Sequence, residues 1–147
     1  MSREILFKAK RKDWRELPKE EWWVEGYYVL CRKHRYILPI VNKNIGYDER
    51  EDEWVEIDPE TICQYTGLTD KNGKRIWEND VVICKQEVES NHMNYSIEIG
   101  FVEMDYGAFG LHRKQGFYRP FKDWLEDYEY EVQGNIFDDP ELLEEKR

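Results

Sequence analysis

The residues best equipped for chemistry gather near the start of the chain. Lys8, Lys10, Arg11, Lys12 and Arg15 fall close together, with Trp14, Trp22 and Trp23 following. Cations beside flat indole rings suit phosphate contact combined with base stacking, the chemistry of single-stranded nucleic acid or nucleotide binding. The same indoles, with Trp54 further on, equally suit a protein interface, because Trp, Tyr and Arg dominate interface energies. Lys10, Arg11, Lys12, Trp14, Trp22, Trp23 and Trp54 are therefore the candidate binding residues. The plainer alternative for the cations is alternating charge on a strand that pairs with a neighbouring subunit.

Other chemistries find less support. His34, His92 and His112 are scattered and form no HxxxH or HExxH pair, so no metal centre is expected. Cys31, Cys63 and Cys84 form no CxxC; each lies in an apolar, strand-like run and reads as a small core hydrophobe. No GxSxG, GxxxxGK[ST] or GxGxxG occurs, which removes the usual signatures of hydrolases, P-loops and dinucleotide folds. Glu51, Asp52, Glu53, Glu56, Asp58 and Glu60 crowd one polar stretch, the mark of a solvated face rather than of an acid/base pair in an apolar pocket. The expectation is a binding protein, not an enzyme, with no cofactor and no catalytic residue.

The chain has 147 residues, enough for one domain or two very small ones. It carries 22 Lys and Arg against 32 Asp and Glu, a net charge of −10, which disfavours a generic coat on nucleic acid or membrane. Charge is uneven: residues 1–50 hold twelve basic and eight acidic side chains, and residues 51–147 hold ten and twenty-four. Such a dipolar chain could pair with a second copy, basic end to acidic side. Two solvated faces explain it as simply. The unpaired cysteine pattern, and the lack of an apolar leader or an 18-residue apolar run, point to the cytoplasm.

Turn chemistry sets the elements. Alternation places strands over 3–10, 22–31 (with a possible bulge at Gly26), 36–41 (pushed to a sheet edge by Pro39) and 54–57. Another strand runs from Ile62 and ends at Gly67, and the Asp70–Lys74 segment closes a hairpin through Asn72 and Gly73. Residues 81–84, 97–104 and 128–137 read as further strands, 85–95 as a mobile loop and 117–127 as holding a short helix. Asp139 and Pro140 suit the N-cap and first position of a terminal helical turn. The polar stretch 42–53 marks the boundary between a β extension, 1–53, and a core, 54–147. The class is all-β, a small barrel or sandwich.

Residues 58–82, DPETICQYTGLTDKNGKRIWENDVV, are similar to a block of the YopX-like family of phage and prophage proteins, which reads QYTGLKDKNG, then an Ile and an aromatic, then EGDIV. REILFKAK at residues 3–10, GFVEMDYGAF at 100–109 and EVQGNIFDDPELL at 131–143 resemble three further blocks, in order along nearly the whole chain. One departure is Asn79, where the family usually has Gly. Asn tolerates the left-handed region better than most residues. The resemblance implies a core similar to a small SH3-type barrel, homo-oligomerisation, a phage-derived cytoplasmic protein and no known reaction. Turn chemistry accounts for its residues: Gly67, Asp70, Asn72 and Gly73 form the hairpin, Asp80 caps a diverging turn, and Gly134 and Pro140 set the final geometry.

From these readings the expected role is a self-associating accessory module that engages a host or phage protein. The alternative is a nucleotide-sequestering or nucleic-acid-binding protein that uses the basic aromatic segment.

Overall fold

Short apolar runs broken by Gly, Pro and Asn leave little room for helices, and the chain folds as antiparallel strands joined by tight turns. The computed structural model describes residues 5–39, 54–87, 95–105, 107–113, 118–121 and 129–144. Its strands are β1 (Phe7–Lys10), β2 (Trp23–Cys31), β3 (His34–Pro39), β4 (Val55–Glu56), β5 (Cys63–Thr69) and β6 (Arg75–Trp77), followed by β7 (Asp80–Glu87), β8 (Tyr95–Asp105), β9 (Ala108–Arg113), β10 (Tyr118–Pro120) and β11 (Glu129–Asn135). Four single 3₁₀ turns, Trp14–Glu16, Lys19–Glu21, Pro59–Thr61 and Pro140–Leu143, are the helical elements among the described residues. None is long and apolar enough to cross a membrane. The protein is mainly β, with two antiparallel sheets.

The chain divides into two compact units, Met1–Tyr65 and Thr66–Arg147. The first therefore extends past the 53/54 boundary read from the sequence. The reason is pairing: β4 adds to β3 through Tyr36↔Glu56 and Ile37↔Val55. The far end of β1 also meets this segment. Arg11 bridges Ile57, with Lys12 N–H donating to Glu56 C=O (3.0 Å) and Asp58 N–H donating to Lys10 C=O (2.9 Å). The strand order β4-β3-β2-β1 thus closes back on itself, which leaves β4 without an open edge there.

Ala9, Val24, Ile37 and Ile57 form the core of this unit, with Phe7, Tyr28, Val55 and Ile62 packed around them. Gly26 is not a bulge; it pairs in register with Phe7 on one side and Pro39 on the other. It is glycine because a Cβ there would collide with the Leu38 carbonyl. Pro39 does not make β3 an edge strand, since it occupies the last position and β4 pairs beyond Tyr36 and Ile37. Regrouping the chain at residue 65 also changes the charge picture. Twelve basic and fourteen acidic residues fall in the first unit, so the basic start and the acidic stretch share one unit.

The second unit holds a five-stranded sheet in the order β10-β9-β8-β7-β11. Ile76, Val82, Cys84, Val102, Phe109, Leu111, Phe121 and Tyr130 make its core. The strand read as ending at Gly67 runs through it to Thr69, because glycine takes φ +87° without penalty. At the start of the mixed 117–127 segment, residues 118–120 form β10 opposite His112–Gly110. β7 extends to Glu87, into the stretch read as a loop. The polar stretch 42–53 and most of the expected short helix lie outside the described residues.

Candidate functional site

Successive strand residues face opposite ways. On β1, Ala9 enters the core of the first unit and Lys10 points away from it, yet Lys10 is only 2% exposed. The cover comes from the 11–23 connection, which folds its indoles over the ammonium group. Lys10 Nζ lies 3.8 Å from the Trp14 ring centroid, 4.5 Å from Trp22 and 5.6 Å from Trp23. Trp14 and Trp22 meet edge to face at 4.9 Å. Their polar ends are also used internally: Trp14 Nε1 donates to Asp58 Oδ2 (3.2 Å) and Trp22 Nε1 donates to the Leu17 carbonyl (2.9 Å). Arg15 lies over the outer side of Trp14 at 4.3 Å, and Lys8 sits 4.8 Å over Trp23.

This arrangement brings together four of the residues singled out in the sequence, Lys10, Trp14, Trp22 and Trp23, but as a clamp that fixes the connection. A desolvated cation against indole faces is stabilising by about 2 kcal/mol. Lys10 has no route to a phosphate. Arg11 Nε donates to Glu21 C=O (2.9 Å), and Lys12 Nζ sits 3.4 Å from both carboxylate oxygens of Glu56. Trp22 and Trp23 are half-buried, with ring faces turned to lysines.

Outside the clamp runs an open groove of about 880 Å³, lined by Arg11, Lys12, Arg15, Glu16, Glu21 and Glu56 among others. Its lining mixes cations and carboxylates. Burial would raise the Glu56 carboxyl, but His34 and Lys12 outweigh it and hold the group below the usual range. His34 Nδ1 lies 2.7 Å from Glu56 Oε1. A second, smaller hollow of about 370 Å³ is lined by Cys31, Arg32, His34, Tyr36 and Trp54. Trp54 is half-buried, its ring tilted against Tyr36 at 5.8 Å. Sequence reading missed Arg32, Glu56 and the role of Arg15. The runs 22–31 and 36–41 leave Arg32 in a four-residue turn, whereas the hairpin turns through Arg32 and Lys33 alone.

In the second unit the turn residues form a hydrogen-bond frame. Asp70 is buried, and its Oδ1 accepts from Asn72 N–H and Lys74 N–H, both at 2.9 Å. Its Oδ2 accepts from Val132 N–H at 3.0 Å, on the outer side of β11. Burial works to raise this carboxyl, yet those three N–H donors and the Lys74 charge bring it below its ordinary value. Asp80 Oδ2 accepts from Trp77 N–H (2.8 Å) across a turn in which Asn79 takes φ +71°. Gly73 has φ +79°. Asp139 precedes Pro140 but does not cap the terminal turn. Its Oδ2 accepts from Asn135 N–H instead, in space that a Cβ on Gly134 would fill.

Among the described residues, no three of His, Cys, Asp and Glu gather as metal ligands. Cys63 and Cys84 are buried and Cys31 is half-buried at the hairpin end. His92 lies outside the described residues.

The hairpin-and-turn pattern matches a known family: residues 14–144 fit the model of the YopX protein family. The chain belongs to the YopX family. A solved structure, that of protein EF1440 from Enterococcus faecalis, is 20% identical, with 97% of this chain and 100% of that chain covered and a TM-score of 0.49. No curated protein matches the chain. The YopX match takes in every candidate residue from Trp14 onward and leaves Lys10, Arg11 and Lys12 outside it.

Proposed function

We propose that this YopX protein is a non-enzymatic binding module that self-associates and holds an extended segment of a host or phage protein in the groove of its first unit. The observation that carries this is the groove's lining. Arg11, Lys12 and Arg15 share the lining of this open groove, about 880 Å³ in volume, with Asp13, Glu16, Glu21 and Glu56. Mixed charge suits a polypeptide, whose side chains carry both signs, better than a uniformly anionic nucleic acid. Exposed Ile5, Tyr27 and Leu30 on the first unit, and Ile97 and Met104 on the second, add apolar area for contact with another copy. The nucleic-acid alternative loses ground, because Lys10 is enclosed and Lys12 is neutralised by Glu56.

The family resemblance supports a phage or prophage origin and work in the bacterial cytoplasm. A small SH3-type barrel remains our reading of the second unit, supported by its five-stranded sheet with a β7-to-β10 meander. Native mass spectrometry of the protein from its host tests the proposal. The expected result is an oligomer carrying a second polypeptide, which Arg15→Glu combined with Glu16→Lys releases while the protein stays folded. A bare monomer from the same preparation overturns it.

A further inference from the structure

The hairpin joining β2 to β3 turns through only two residues, Arg32 and Lys33, and both have positive φ, +50° and +72°. That geometry normally selects Asn-Gly, since L side chains with a Cβ are strained there. Two long basic side chains occupy it instead. Strain tolerated at such a position is a mark of use, and Arg32 borders the 370 Å³ hollow described above.

The walls of that hollow are consistent in chemistry. One is an aromatic ladder, His34 to Tyr36 at 6.5 Å and Tyr36 to Trp54 at 5.8 Å. Among the described residues, Trp54 Nε1 is a buried donor with no acceptor. Buried donors of this kind are rare and ask for a partner. His34 has committed Nδ1 to Glu56, which orients the ring and leaves Nε2 for another contact. Arg32 adds a guanidinium that binds carboxylate and phosphate oxygens in a fork. The volume lies in the range of small-molecule pockets.

We propose that this hollow binds a small molecule made of a flat ring bearing an anionic group, the ring packed against the tilted rings of Tyr36 and Trp54 and the anion held by Arg32. The hollow shares no lining residue with the polypeptide groove, although Glu56 of the groove holds His34 of the hollow, and the proposal does not rest on the groove. Nucleoside monophosphates and aryl carboxylates share this chemistry, so adenosine monophosphate and indole-3-carboxylate are the two probes, with adenosine and inorganic phosphate as half-ligands.

Calorimetric titration of the intact chain is expected to show binding of at least one probe at least tenfold tighter than either half-ligand, and the identity of that probe names the source. Arg32→Asn separates binding from folding, because Asn accepts the positive φ. That variant is expected to raise Tm and weaken binding tenfold or more, while Arg15→Ala in the groove leaves binding unchanged. Trp54→Phe, which keeps a ring and removes the N–H, is expected to weaken it as well. Failure of both probes to bind, or equal binding by wild type and Arg32→Asn, overturns the proposal.

Discussion

The two units solve one problem, the fixing of a polar connection, with opposite chemistry. In the first, a cation on β1 draws in three indoles, and the connection from Arg11 to Trp22 is held by faces of rings. In the second, a carboxylate on the 70–74 turn accepts backbone N–H groups, two within the turn and one on β11. Ring faces tolerate small shifts, whereas hydrogen bonds to N–H groups demand direction. The first device therefore leaves its outer surface free to vary, and the groove lies on that surface. The second fixes an edge: Asp70 takes up Val132 N–H, and Lys71 N–H donates to Tyr130 C=O, so this stretch of β11 offers no bonds to another strand.

The largest effect that separates these devices is expected at Asp70. Asp70→Ala leaves three backbone donors without their acceptor and should cost about 3 kcal/mol, read as a lower urea midpoint with faster amide exchange at 70–74 and 130–132. Lys10→Met keeps the volume and removes the cation. It should cost about 2 kcal/mol, with faster exchange confined to the 11–22 connection. Exchange that spreads into 70–74 in that variant would break the contrast.

Acid should weaken the second device next. Asp70 has a depressed folded-state pKa, so its contribution is present above the ordinary carboxyl value of about 3.9 and is lost as pH falls through the folded value. Urea midpoints between pH 6 and pH 2 should fall for wild type and flatten for Asp70→Asn. The smallest effect is a gain: Arg32→Asn relieves a strained φ and should add about 1 kcal/mol.

Much of the frame was legible because turns declare themselves. Asp70, Asn72 and Gly73 announce a tight turn by type, and the Asn72 and Lys74 bonds to Asp70 follow from closing it; the Val132 bond joins residues 62 apart and does not. Strand positions at Phe7–Lys10 and Trp23–Cys31 followed from alternation. The roles of Lys10 and its tryptophans were not legible. A lysine flanked by indoles looks the same in sequence whether the rings lie open or fold over it, and only the 3₁₀ turns at 14–16 and 19–21 decide. The join of Arg11 to Ile57 is equally silent in sequence, since it depends on a long-range closure. For that reason the groove, built from both segments, could not be foreseen.

The most direct test of a first unit that clamps inside and binds outside is lysine cross-linking of the native protein in its host, read by mass spectrometry. Lys12, on the groove rim, should carry links to a second polypeptide, and Lys10, enclosed by Trp14, Trp22 and Trp23, should carry none. Links from Lys10, or a Lys12 that joins only to residues of its own chain, would contradict that division.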